Sequence, residues 1–222
     1  LSNHPKIYRN EEVLFLAGTF NFNYFHFLLE MLPKLEYLKS IPNFTNLTIV
    51  LGSVAKENTN FQTLLSFFIK NNVIEYLEAD KFYMFAKTWH ITYPNTIVPN
   101  IAEGERYQAD FSVFSQDSIN YARKVCLENY DFTKVNVKPK SKIFLARNSK
   151  FRKYNEQELL DAAEIQGFEA VYFEDCNIHE QIFYLRNADY IIGPSGAAWT
   201  NILFCVENKT KGLMWLGKVW ND

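Results

Sequence analysis

From Lys142 onward, short apolar runs alternate with amphipathic stretches at the spacing of strands and helices. KIFLA (142–146) reads as a strand, and 155–166 as a helix with Asn155 at its N-cap and Gly167 just past its end. A strand at 170–173, a helix at 178–187, the run YIIG at 190–193, a helix at 197–205 and a strand at 212–216 complete the series. Parallel strands need crossovers of about a dozen residues, usually a helix, so this alternation predicts βαβ units and a mostly parallel sheet.

The first half carries the same rhythm. A strand is expected at 13–17, followed by a helix at 23–39 whose apolar residues Tyr24, Phe27, Leu28, Met31, Leu35 and Leu38 recur at three- and four-residue steps. LTIVL (47–51) reads as a buried strand, 61–70 as a helix, and 73–77 and 82–91 as strands at the sheet edge. Pro94, Pro99 and Gly104 mark an irregular connection. A long helix at 111–129 and a linker at 135–141, containing Lys138, Pro139 and Lys140, follow. The chain therefore divides into two α/β lobes: 1–110, a connection at 111–140, and 141–222.

Composition narrows the function. The 222 residues carry 23 Lys+Arg against 25 Asp+Glu, a net charge of −2, with a pI near 6.1. Proteins that neutralise many phosphates carry a basic excess, so nucleic acid is not the expected partner. Aromatic residues make up 17%, and exposed aromatic rings make stacking platforms for planar or ring-shaped ligands. Cys126, Cys176 and Cys205 are too few and too dispersed for a zinc site or disulfide framework, and read as small buried hydrophobes. The N-x-[ST] sequons at Asn43, Asn46 and Asn208 carry no weight in so Asn-rich a chain. The most apolar stretch, 13–32, is interrupted by Asn21, Asn23, His26 and Glu30, which is wrong for a spanning helix. A soluble protein is expected, with a membrane-surface role left open.

Four segments hold residue types suited to chemistry. In DYIIGPSGAAWTN (189–201) a strand turns through Pro194, Ser195 and Gly196 into a helix at Ala197. Ligands of open parallel sheets bind outside the carboxyl ends of the strands, and helix N–H groups there favour anions. The alternative is a plain tight βα turn. Arg147, Lys150, Arg152 and Lys153 follow the strand KIFLA at the same expected edge, where an Arg fork matches a diphosphate; the alternative is a solvated charge run. His179 and Glu180 open a helix but do not form H-E-x-x-H, so zinc is not expected. Glu180 could accept from ribose hydroxyls or simply favour the helix dipole. In the first lobe, His26 and Glu30 share a helical face at i, i+4. A histidine beside a carboxylate has the make-up of a general base, or of a core-edge residue held by Glu30. No D-x-D occurs, so a metal-held diphosphate is not expected. The Gly-rich dinucleotide motif, the P-loop and G-x-S-x-G are also absent.

Three of these segments, in this order, resemble glycosyltransferase family 61: NYFHFLLEMLPKL (23–35), L-A-R-x4-R-x2-N-E (145–156) and HEQIxxLRNADYIIGPSGAAWTNILF (179–204). Where that family usually has His before the Gly-Ala of the turn, this chain has Ser195. The resemblance implies a GT-B-like pair of Rossmann-like lobes with mostly parallel sheets facing a cleft. It implies inverting, metal-independent transfer from a nucleotide-sugar donor to a glycan or polysaccharide hydroxyl, as in capsule-type surface polysaccharide synthesis, with no cofactor beyond the donor itself. The donor-binding residues expected on it are Arg147, Arg152, Asn155, Glu180, Gln181, Gly193, Ser195, Gly196, Ala197 and Asn201; the catalytic pair is His26 as base with Glu30 orienting it. A cytoplasmic location, at or away from the inner face of the membrane, and further domains in a longer polypeptide are expectations of the same kind. Ser195 and the early end after GLMWL favour a competing reading, a catalytically silent nucleotide- or carbohydrate-binding module. Another α/β transferase, such as a methyltransferase, is disfavoured by the missing early Gly-rich turn.

Overall fold

Ten strands and the helices between them make up the described part of the computed structural model, which covers residues 5–16, 20–92, 94–97, 112–148 and 154–216. The chain separates into two compact units, 1–126 and 127–222.

The first unit is built on a four-stranded parallel sheet. Its strands are β1 (Lys6–Phe15), β2 (Thr48–Gly52), β3 (Ile74–Leu77) and β4 (Phe82–Trp89), in the order β3-β2-β1-β4. As expected, β3 and β4 form the two edges. Burial follows pattern: Val13 and Leu14 of β1 and Ile49, Val50 and Leu51 of β2 are fully buried. The helix α3 (Thr59–Phe68) is started by Asn58, whose side chain accepts from the N–H groups of Asn60 and Phe61. Phe61 of α3 stacks on Phe27 with ring centroids 4.0 Å apart. A short helix α2 (Val54–Glu57) precedes α3.

The segment 24–40 departs from the continuous α-helix expected there. It begins as one α-turn, α1 (Tyr24–His26), widens into a π turn over Phe27–Met31 and tightens into a 3₁₀ helix over Leu32–Ser40. Pro33 supplies the physical reason. A proline has no N–H to donate four residues back, and its ring crowds that carbonyl, here Leu29. The orphaned Leu29 carbonyl is instead met by the buried side chain of Asn95, whose Nδ2 donates to it at 2.6 Å.

Asn95 belongs to β5 (Asn95–Ile97), which pairs antiparallel with β6 (Ser112–Phe114). The helix expected from 111 therefore begins later, as α4 (Gln116–Glu128). Ser115 sets that start: its Oγ accepts from the Ser118 N–H and its carbonyl from the Ile119 N–H.

The second unit repeats the βαβ theme. The strands β7 (Lys142–Ala146), β8 (Glu169–Tyr172), β9 (Tyr190–Pro194) and β10 (Lys211–Trp215) form a parallel sheet in the order β10-β9-β7-β8. The helix α5 (Glu156–Ile165) joins β7 to β8, and α6 (Ile178–Asn187) joins β8 to β9. Between β9 and β10 lies α7 (Ala197–Phe204), a 3₁₀ rather than an α-helix. Gly167 ends α5 in the left-handed region, φ +78°. Asn155 does not cap α5 with its side chain, which donates to Glu158 instead. By contrast α6 opens with a full capping box between Asn177 and Glu180. Phe144, Ala146 and Ala163 centre a core joined by Leu159, Leu160, Phe168, Ile192 and Trp215. No helix of the described residues is long and apolar enough to cross a membrane.

Candidate active site

In the second unit the chain runs from β7 to β8 on one side, then returns to place β9 on the other side of β7. Such a reversal opens a crevice at the carboxyl ends of the two central strands, where ligands of open α/β sheets bind. Arg147 leaves β7 at that edge, and Pro194, Ser195 and Gly196 leave β9. The two segments meet: Arg147 Nη1 donates to the Ser195 carbonyl at 3.2 Å. The guanidinium lies so near Gly196 that a Cβ there would fall 2.8 Å from Nη2. Gly193 has a different constraint, because its missing Cβ would stand 2.7 Å from the Leu145 carbonyl across the β7–β9 pair.

The backbone around Arg147 is also fixed. Its N–H donates to Glu156 Oε1 at 3.2 Å, and the same oxygen accepts from the Tyr154 hydroxyl at 2.8 Å. Burial and the neighbouring Glu156 carboxylate push the Tyr154 phenol up, so it stays protonated and remains a donor. The next residue, Asn148, donates its N–H to Glu174 Oε1. On the β9 side, the Ser195 N–H is held by the Trp215 carbonyl at 2.8 Å, and Trp199 Nε1 donates to the Pro194 carbonyl at 3.0 Å. In α7 the Trp199 N–H bonds back to Gly196, so the N–H groups of Ala197 and Ala198 precede that turn. The edge thus combines a positioned guanidinium with a small-residue turn, the make-up of a diphosphate site.

The other expected donor residues occupy different places. Glu180 accepts from the Asn136 N–H at 3.3 Å and the Asn177 N–H at 3.0 Å, which ties the start of α6 to the preceding loop. Gln181 donates to the carbonyls of Phe173 and Cys176 and accepts from Asn201 Nδ2 at 2.8 Å, a buried link between α6 and α7. Arg152 lies outside the described residues, as do Lys150 and Lys153.

The first unit holds a second constellation, at the carboxyl end of β1. His26 Nδ1 and Glu30 Oε2 are 2.8 Å apart. A carboxylate only accepts, so Nδ1 carries the hydrogen and Nε2 is the basic nitrogen of the neutral ring. The His26 side chain is 16% exposed and that of Glu30 3%. Phe20 and Phe25 flank the imidazole, with centroids 5.1 and 5.2 Å away. Phe20 sits at φ 57°, in the left-handed region that bulky residues rarely enter, and strained backbone gathers at functional sites.

Two features near this pair were not read from the sequence. Lys34 is 1% exposed, and burial lowers its pKa to about 8 against the opposing attraction of Glu30. It stands four residues beyond Glu30, the same spacing that links Glu30 to His26, but a lysine in a helical stripe reads as a solvated charge. The second is the π turn itself, for which Pro33 was the available signal. Among the described residues, no three His, Cys, Asp or Glu side chains gather as a metal cluster would.

The model of the glycosyltransferase 61 family matches residues 24–212, most of the chain. The chain belongs to that family. Glycosyltransferase activity and a sugar donor and acceptor follow from membership at that level. The match spans both constellations, from Tyr24 beside His26 to Gly212 in β10. No curated protein matches the chain.

Proposed function

We propose that this glycosyltransferase moves a sugar from a nucleotide-sugar donor, of the uridine or cytidine diphosphate type, to a hydroxyl of a glycan or polysaccharide. The reading is of inversion without a metal ion, on a GT-B-like pair of lobes. The observation that carries it is the meeting of Arg147 with the Ser195–Gly196 turn at the reversal point of the second sheet.

In the proposed reaction the acceptor oxygen forms a bond to the anomeric carbon on the face opposite the diphosphate. The carbon–oxygen bond to the diphosphate breaks, and its electron pair leaves on the diphosphate. Arg147 and the N–H groups at the start of α7 stabilise that growing charge, the task a metal performs elsewhere. Arg152 is proposed to join them. The acceptor proton passes to Nε2 of His26, which Glu30 holds through Nδ1. Phe20 and Phe22, both exposed, offer ring faces beside His26 for an acceptor sugar. Glu180, Gln181 and Asn201 then serve the donor by fixing α6 and α7 behind the turn.

Ser195, at the position where His is usual in the family, favours a second reading, in which the second unit binds nucleotide or carbohydrate without turnover. One experiment separates the two: incubation with a panel of nucleotide sugars and glycan acceptors, following nucleotide release and the anomeric configuration of any product by NMR. Transfer with inverted configuration supports the enzyme. Retention at the anomeric carbon contradicts the single displacement, and nucleotide binding without transfer to any acceptor supports the silent module.

A further inference from the structure

We propose that Glu174 is the ribose-binding residue of the donor site, its carboxylate accepting from the 2′ and 3′ hydroxyls of the nucleotide. This role rests on the nucleotide-sugar reading of the edge, and it adds the residue that tells a ribonucleotide from its deoxy counterpart.

Topology supplies the place. The elements β7, α5 and β8 form one βαβ unit, and Glu174 stands two residues past Tyr172, where β8 ends. In nucleotide-binding sheets of this kind the phosphates lie at the end of the first strand of such a unit, and an acidic residue beyond it takes the ribose hydroxyls. Here Arg147, rather than a Gly-rich turn, holds the first position. The end of β8 lies one and a half strand spacings from the crevice between β7 and β9. At about 4.8 Å per spacing this is roughly 7 Å. A nucleoside diphosphate covers that span between its phosphorus atoms and its ribose hydroxyls.

The hydrogen bonds select the residue. Glu174 is exposed, and its Oε1 accepts from the Asn148 N–H at 2.5 Å. Asn148 directly follows Arg147, so the carboxylate is anchored one residue from the arginine proposed to face the diphosphate. A carboxylate has about four lone-pair sites. The Asn148 N–H takes one, which orients the group and leaves acceptor sites for a pair of hydroxyls. Among the described residues Glu174 makes no other hydrogen bond. Glu180, which the sequence offers for the ribose, is 9% exposed and has both oxygens engaged, one by the Asn136 N–H and one by the Asn177 N–H. Glu156 holds the Arg147 N–H and the Tyr154 hydroxyl on one oxygen. A carboxylate beside a diphosphate also repels it, and only a ligand that brings ribose hydroxyls recovers that cost.

The test is calorimetric titration of the full chain with UDP, CDP, their 2′-deoxy counterparts and inorganic diphosphate. The parent is expected to bind the preferred ribonucleotide about tenfold more tightly than its 2′-deoxy form, the scale of one hydrogen bond to a charged group. In Glu174→Ala that ratio falls toward one, while inorganic diphosphate binds several-fold more tightly because a repelling charge is gone. Glu174→Gln keeps an acceptor for the Asn148 N–H and shows both changes in smaller measure, and Asp175→Ala, at the neighbouring exposed acid, keeps the parent pattern. Weakening of every probe alike in the Glu174 variants, with the ratio kept, makes Glu174 a mere anchor of the loop and overturns the proposal. A parent that binds ribo- and deoxyribonucleotide equally overturns it too, as does loss of the ratio in Asp175→Ala alone. If Glu174→Ala does not fold, an unchanged ratio in Glu174→Gln overturns it. A parent that binds none of the probes removes the donor site itself, so the two readings fail by different results.

Discussion

The two units place their candidate residues by the same topological rule and hold them by different physics. In each sheet the chain builds on one side of a central strand and then adds a strand on the other, and the candidate residues stand at the carboxyl end of that central strand. In the second unit the candidate site is mostly backbone: a carbonyl at Ser195, turn N–H groups, Gly193 packed on the Leu145 carbonyl, and one guanidinium laid against Ser195 and Gly196. In the first it is a line of ionisable side chains, His26, Glu30 and Lys34, on an irregular helix. A backbone cradle binds a constant anion and tolerates little change of shape. A side-chain line sets proton affinities and depends on charge balance. The difference fits the proposed division of labour, in which the second unit would hold the donor and the first would perform proton transfer.

Breaking the first site alone gives the largest expected effect. His26→Ala is expected to lower turnover by roughly 10²–10⁴ while leaving donor binding nearly unchanged; equal loss of both would mean that the side chain serves the fold or the donor. The next effect is on stability and comes from Lys34. Its folded-state pKa, about 8, lies below the ordinary 10.5. Between these values the unfolded chain binds more protons, so folding stability rises with pH across that window. The gain is on the order of 3 kcal/mol by linkage. Cys126 works against it, because burial pushes its thiol up to about 12, which costs stability once an unfolded thiol would ionise. Denaturant titrations of parent and Lys34→Met from pH 7.5 to 10.5 separate the two, since only the Lys34 contribution disappears in the variant.

The second site is probed more gently. Gly193→Ala is expected to cost about 1–3 kcal/mol of stability, because the added methyl must push β9 from the Leu145 carbonyl. The shift also opens the Arg147–Ser195 contact, so donor affinity should fall with it, whereas turnover per bound donor should not. The smallest expected effect is that of chelation. Excess EDTA should leave transfer intact, and a loss that Mn²⁺ or Mg²⁺ restores would remove Arg147 from its proposed place as the cation facing the diphosphate.

The two regions also differed in how readily they could be read. The strands of the second sheet were legible because KIFLA and YIIG are apolar runs bounded by turn residues, and burial on both faces of a parallel sheet demands that pattern. The coincidence of Arg147 with the Ser195 turn was legible as placement at one sheet edge, but the hydrogen bond between residues 48 positions apart was not. His26 and Glu30 were legible from helical spacing, and their side chains do meet. What spacing could not show was the path of the helix between Phe27 and Ser40. The apolar steps there satisfy an α-helix, and Pro33 overrides them through a single missing N–H. Its consequence reaches Asn95, 66 residues beyond the Leu29 carbonyl that it satisfies. Lys34 escaped for a related reason, since charge in a sequence reads as exposure until packing encloses it. Glu180 and Gln181 have donor and acceptor groups suited to a sugar or ribose, and only the structure shows those groups engaged with Asn136, Asn177, Phe173, Cys176 and Asn201.

The division of labour is tested most directly by calorimetric titration of the donor nucleotide diphosphate into the parent, Arg147→Ala and His26→Ala, under one set of conditions. Loss of the guanidinium is expected to weaken binding by about 1.5–3 kcal/mol, the scale of a charged hydrogen bond, while His26→Ala binds as the parent does. Arg147→Ala binding as tightly as the parent, or His26→Ala losing the nucleotide instead, would contradict the assignment of donor and catalytic roles to the two units.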